Sequence, residues 1–227
     1  DRLAAVPPAR LFDEILKLFL SGHALQSYEL LREYGLFTYM FGQSEECIDE
    51  DGGYTDSFIR QAMINTDARI HDDKPVTPFF LFAAMLWGPV KQLAELLQSQ
   101  EMTELQSLQT AGNEVLSEQL KQVSIPKRFS FPMREIWTMQ ARLPRRNGKR
   151  AFRLTEQPRF RASYDFMLLR NQIGEPLQEI CEWWTRFQEV DQNARIQMVK
   201  ALAKPGKTRS RSQPQSPSRR RKSKPPV

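Results

Sequence analysis

TPFFLFAAMLWGP, residues 77–89, is the stretch on which the fold turns. Its apolar run from Phe79 to Trp87 is nine residues, the longest in the chain. A membrane-spanning helix needs about 20 apolar residues, so the run reads instead as a helix buried on every side. Thr77 and Pro78 supply an N-cap and a first-turn proline, and Gly88-Pro89 is expected to kink or break the helix. A helix apolar all round has to be covered by others.

The flanking sequence supplies them. Upstream, Leu11, Phe12, Ile15, Leu16 and Phe19 fall on one helical face between Pro7-Pro8 and Gly22. Leu25, Tyr28 and Leu31 mark a second helix that Gly35 closes, and a third begins near Thr55 with Phe58, Ala62, Met63 and Ile70. Downstream, residues 101–123 read as a long polar helix with Leu105, Leu108, Val115, Leu116 and Leu120 on its inner side. Pro126 and Pro132 separate it from a helix carrying Met133, Ile136, Trp137 and Gln140. A helix around Arg159–Ile173 follows, then one from Glu175 onward with Ile180, Trp183, Trp184 and Phe187. No convincing period-2 strand interrupts this order. The expected fold class is all-α, an irregular multi-helix body with a disordered basic C-terminal tail. Beyond Ala203 only Val227 is apolar apart from the prolines, too little to offset the entropy of ordering the backbone.

Charge divides the chain more sharply than hydropathy does. Residues 1–124 carry 9 basic and 19 acidic side chains, and residues 125–170 carry 12 and 3. Residues 171–191 carry 1 and 5, and residues 192–227 carry 11 and none, so the net +6 conceals a polarised molecule. Three regions are expected: an acidic helical body over 1–124, a basic helical region over 125–203, and the tail over 204–227. Basic clusters beside an acidic body point to a polyanionic partner.

Within the basic region, Arg142, Arg145, Arg146, Lys149, Arg150 and Arg153 are spaced to share one face of a continuous helix. Pro144 and Asn147-Gly148 favour a loop between two helices instead, with the charges crowded either way. Like charges at that density repel, and a nucleic-acid backbone relieves the repulsion best. Lys127, Arg128, Arg159 and Arg161 extend the candidate nucleic-acid contacts. Phe152, between Arg150 and Arg153, is the expected stacking surface for a base, whereas Phe160, Tyr164 and Met167 or Leu168 read as a core-facing stripe. Arg145, Arg146, Lys149 and Arg150 are predicted to meet backbone phosphates with little sequence preference. The runs Arg209-Ser210-Arg211-Ser212 and Ser218–Lys222 in the tail carry the same signal.

Other chemistries lack their motifs. There is no P-loop and no dinucleotide-binding glycine pattern. His23 and His71 stand far apart in sequence without partnering cysteines, so no zinc site is expected, and His71 reads as a capping or surface residue. Asp49 and Asp51 have the spacing of a two-metal pair, but beside Gly52-Gly53 they read as a solvated polar loop. No catalytic residue and no metal ligand is assigned. Cys47 and Cys181 cannot build a disulfide framework and read as reduced cytosolic thiols, with no membrane segment.

Several long segments in one order carry a resemblance. They are VPPARLFDEILKLFLSGHALQSYELLREYGLF (6–37), NTDARIHDDKPVTPFFLFAAMLW (65–87), IPKRFSFPMREIWTMQARLPRRNGKRAFRL (125–154), PRFRASYDFMLLR (158–170), and a later Trp-Trp pair with a basic tail. Together they resemble the C-terminal part of the bacterial poly(A) polymerases, class II nucleotidyltransferases. The resemblance implies an RNA-binding body whose catalytic head, with its D-x-D strand, lies before Asp1. ATP and Mg2+ are then cofactors of the full-length enzyme and not of this chain, and the expected location is the bacterial cytoplasm. Arg10 and Glu14 fall where that family's neck element has a bracing pair. The partner implied is the 3′ end of RNA, with any protein partner of the tail undefined. A CCA-adding enzyme body shares the neck element, and a non-catalytic RNA-binding scaffold is the alternative of another class. A DNA-binding helical protein is the weakest, for want of a recognition-helix signature.

Overall fold

The computed structural model describes residues 6–203. Among these residues it has twelve helices and no strand, as the periodicity leads one to expect. They are α1 (Pro8–Phe19), α2 (Ala24–Glu33), α3 (Phe37–Glu50), α4 (Tyr54–His71), α5 (Pro78–Met85) and α6 (Trp87–Ser99). Then come α7 (Glu104–Gln122), α8 (Lys127–Gln140), α9 (Lys149–Thr155), α10 (Phe160–Gln172), α11 (Gln178–Glu189) and α12 (Gln192–Ala203). The expectation for the tail lies outside the described residues.

The apolar run forms α5, sealed from Leu81 to Leu86, where every residue is at most 1% exposed, with Phe79 and Phe80 half-buried at its start. α4, α6, α8 and α10 pack around it. The break comes earlier than Gly88-Pro89. Pro89 has no N–H, and its ring would clash with the Met85 carbonyl one turn back, so α5 stops at Met85 and the chain bends by 55° into α6. Gly88 then sits in the first turn of α6 against α4. A Cβ there would lie 2.1 Å from the Thr55 hydroxyl oxygen, so the two helices can approach only with glycine at that position. No single helix among the described residues is long and apolar enough to cross a membrane.

The structure departs from the sequence reading in several places. Residues 37–50 form α3, which the periodicity hid because Phe41 adopts non-helical φ −140° and ψ 54°. Asp49 therefore belongs to the last turn of a helix and not to a loop. Pro132 lies inside α8 instead of ahead of it, since α8 opens at Lys127 directly after Pro126. In α7, Leu120 is 44% exposed and Gln119 takes the inner position, donating from Nε2 to the Met40 carbonyl at 2.6 Å. The start of α7 is a full capping box between Thr103 and Gln106. α2 is capped from a distance, with the Asp67 carboxylate accepting from the amides of Ala24 and Leu25 at 2.6 and 3.1 Å.

Apolar packing falls into two clusters, and they part near the end of α8 rather than at residue 124. The larger joins α1–α8 with Phe166 and Leu169 of α10. The smaller holds Met139, Leu143, Ala151, Leu154, Phe160, Tyr164, Met167, Cys181, Trp184, Phe187 and Val199. α10 serves both. Phe166 meets Trp87 edge-on at 5.3 Å on one side, and Phe160 meets Trp184 at 5.1 Å on the other. Phe160, Tyr164 and Met167 are thus the core-facing stripe the spacing implied.

Candidate nucleic-acid interface

The smaller cluster is what presents the basic residues. In α9 the inward positions are Ala151 and Leu154, so Lys149, Arg150 and Arg153 must point outward, and all three are exposed. Gly148 precedes them at φ 60°, ψ −137°, a conformation open to glycine and strained for other residues, which turns the chain sharply into the helix. Arg142 and Arg145 project from the turn between α8 and α9 and are exposed as well. Among the described residues, none of these five cations pairs with a carboxylate. The loop that carries them is pinned from beneath, where Trp184 Nε1 donates to the Leu143 carbonyl at 2.9 Å.

Arg146 is a correction. It is 9% exposed, its Nη2 lies 3.1 Å from Glu179 Oε1, and its guanidinium sits 5.2 Å from the Trp183 ring centre. It fastens the basic loop to α11 and has no free face for a phosphate. Phe152 departs from expectation too. It is half-buried, edge-on to Phe187 at 5.4 Å, and belongs to the core rather than offering a free platform. Residues 141–148 are a turn and loop, as Pro144 and Asn147-Gly148 led one to expect, so the six cations do not share one helical face.

Lys127 and Arg128 open α8 and are exposed, with Arg128 5.0 Å from the Phe129 ring. Arg159 is over Phe79 at 5.1 Å. Its Nε is 3.4 Å from Glu135 Oε2, close enough for an ion pair but without the angle of a hydrogen bond. Arg161 pairs with Asp165 at 3.0 Å. Arg159 and Arg161 line an open groove of about 600 Å³ together with Arg69, Lys74, Phe79 and Phe80. Arg10 and Glu14 are both exposed on α1, and Glu14 pairs with Lys17 at 3.0 Å and not with Arg10.

A pattern missed in the sequence becomes plain here. α8, α9 and α10 all begin without an acidic residue in the first turn. Lys127 and Arg128, then Lys149 and Arg150, then Arg159 and Arg161 stand there instead. Helix N-termini carry a partial positive charge and ordinarily attract acids. Cations at three successive helix starts oppose the local dipoles. At α10, Glu135 and Asp165 pair with Arg159 and Arg161, while at α8 and α9 no carboxylate of the described residues pairs with them.

Asp49 and Asp51 do not converge as metal ligands. Asp49 is exposed on α3, while Asp51 accepts from the amides of Gly53 and Thr55 at 3.1 and 2.9 Å and so shapes the turn into α4. His23 and His71, distant in sequence, are neighbours in space with ring centres 6.4 Å apart. Among the described residues, no three His, Cys, Asp or Glu side chains gather around a common point.

Comparison with known proteins places this geometry. A family model described as the arginine-rich C-terminus of polymerase A matches residues 100–225, and one described as a probable RNA and SrmB-binding site of polymerase A matches residues 1–47. Poly(A) polymerase I of Escherichia coli is 42% identical over 187 residues, covering 81% of this chain and 40% of that protein. The Salmonella typhi protein of the same name is 38% identical over 221 residues, 95% of this chain and 48% of its own length. That of Haemophilus influenzae is 35% identical over 201 residues, 87% and 44%. The chain therefore spans less than half the length of these relatives.

Proposed function

Since the chain belongs to the poly(A) polymerase I family, we propose that it is the RNA-holding body of a template-independent adenylyltransferase. On this reading it keeps an RNA 3′ end in place while AMP is added from ATP by the part of its relatives' length that it does not span. The observation that carries the reading is the ridge of Arg142, Arg145, Lys149, Arg150 and Arg153, exposed and without acidic partners among the described residues. Phosphates of a single strand fit such a ridge without base-specific contacts. Positioning is the contribution this chain can make, because a reactant held in place reacts as if at far higher concentration.

ATP and Mg2+ belong on this proposal to the nucleotide-adding part. Asp49 and Asp51, directed as they are, do not fit the metal, so no chemical step is assigned to this chain. The matches reported above are poly(A) polymerases, which favours that reading over the CCA-adding body and the scaffold. Photocrosslinking a single-stranded RNA to the chain and mapping the modified peptides tests it. Crosslinks within residues 142–153 are expected, and crosslinks confined to residues 204–227 would overturn the assignment of the ridge.

A further inference from the structure

Phe131 stands apart from the other thirteen phenylalanines. Those are buried or half-buried, while Phe131 is 55% exposed on the outer face of α8. Its exposure follows from the helix period. Met133, Ile136 and Trp137 face the larger cluster, so residue 131 must face away. Isolated exposed apolar residues are ordinary, and exposure alone carries nothing. The surroundings are what matter.

Lys127 and Arg128 lie one turn before Phe131 on the same face, and both are exposed. Arg134 lies one turn after it, with its guanidinium 5.8 Å from the ring centre and its Nε buried and without a hydrogen bond. The one acid on this face, Glu135, is drawn toward Arg159 at 3.4 Å. That ion pair also joins the face to the start of α10 and the groove beside it. Phe131 is thus an exposed aromatic ring with one guanidinium over it and two further exposed cations a turn away, Arg128 itself against Phe129. Such an arrangement suits single-stranded nucleic acid, with cations on phosphates and the ring beneath a base.

We infer that Phe131 is the stacking platform for an unpaired base of the RNA strand, a role the sequence alone suggested for Phe152. The inference rests on the RNA-holding reading above. Stacking is indifferent to base identity because every base has a π-face, so the platform adds affinity for single strands without choosing a sequence. Arg134, over one side of the ring, and Lys127 and Arg128, a turn away, hold the phosphates on either side of the nucleotide stacked on the other side.

The test uses the 227-residue chain with a single-stranded oligoadenylate carrying 2-aminopurine, and a matching oligomer whose bases are removed. Phe131→Leu keeps an apolar side chain at an exposed site while removing the ring. It is expected to weaken binding of the base-bearing strand about 5- to 30-fold. It should also reduce the quenching of 2-aminopurine, leave the salt dependence unchanged, and leave the abasic oligomer bound as before. Phe131→Trp should restore both affinity and quenching. If Phe131→Leu binds the base-bearing strand as tightly as the parent, the platform is overturned while the RNA-holding reading stands, and the face belongs to another partner. If it weakens the abasic oligomer equally, the effect is not stacking and the inference also falls. Failure of the parent chain to bind either oligomer would overturn both readings together.

Discussion

The Arg146 guanidinium lies 5.2 Å from the centre of the Trp183 ring, while its chain neighbour Arg145 is exposed without an acidic partner among the described residues. Two adjacent arginines in one basic run thus hold opposite places. One secures the loop to α11, and the other belongs to the outward ridge.

The two positions should separate in stability measurements. Arg146→Ala removes a cation–π contact and buried side-chain methylenes, and is expected to cost about 1–2 kcal/mol in urea unfolding. Arg145→Ala should stay within about 0.5 kcal/mol of the parent, as surface changes do. Equal effects from the two would contradict the assignment.

A second structural arginine sets a pH dependence. Arg170 donates to both carboxylate oxygens of Glu175, at 3.0 Å from Nε and 2.6 Å from Nη2, and lies over Trp87. Burial would push the Glu175 carboxyl up, but Arg170, the Tyr54 hydroxyl and Lys91 together hold it below its ordinary value. Burial acts against Asp56 in the same way, and hydrogen bonds from Tyr28 and Arg60 with the charge of Arg32 bring it down too. A carboxyl depressed in the folded state contributes stability above its unfolded value, about 4, and loses it as pH falls through the folded value. Unfolding free energy should therefore be level from pH 7 to about 5 and fall below about 4. Glu175→Gln should cost about 1–3 kcal/mol at pH 7 and flatten that fall. A variant with the parent's acid profile would show that the pair does not govern it.

Gly88 should tolerate no side chain. Its added Cβ would meet Thr55 Oγ1 at 2.1 Å, Cγ2 at 2.7 Å and Cβ at 3.0 Å. Gly88→Ala is expected to destabilise by about 1–3 kcal/mol through overpacking, and Thr55→Ala should recover part of that loss in the double variant. Strict additivity would mean the two residues do not compete for the same space.

Both thiols should be inert in the folded chain. Burial pushes Cys47 up to about 11, helped by Asp51, Glu50 and Glu46, and burial pushes Cys181 up to about 11 as well. At pH 8 iodoacetamide should label neither until denaturant is added, since the thiolate is the reactive form. Rapid alkylation of the native chain would show that these sites open.

What the sequence disclosed and what it hid follow from how local each feature is. The apolar run of α5 sits between Thr77-Pro78 and Gly88-Pro89, so its burial could be read from composition alone. α3 could not be read that way. Phe41 breaks its period, its last turn is acidic, and its central contacts are distant ones: Ser44 Oγ donates to the Met85 carbonyl at 2.7 Å, and the Gly42 amide reaches Gln122 at 3.2 Å. The basic run was legible as charge, because five of its six cations, the members of the ridge, are exposed. The place of Arg146 was not, since only its distant contacts with Trp183 and Glu179 distinguish it from Arg145. Phe131 had a readable signal. Placing Met133, Ile136 and Trp137 inward already sends residue 131 outward, but an exposed phenylalanine is hard to pick out among fourteen.

The most direct test of the RNA-holding account is affinity of the 227-residue chain for a single-stranded RNA across a salt series, compared with the same chain carrying Arg145, Lys149, Arg150 and Arg153 all as Ala. Each phosphate contact contributes about −0.7 to the log–log slope for a single strand. The variant should bind more weakly at moderate salt, with a slope shallower by about 2–3, whatever the tail contributes to both proteins. Parallel lines of equal affinity would mean the ridge does not face RNA, and the account would be contradicted.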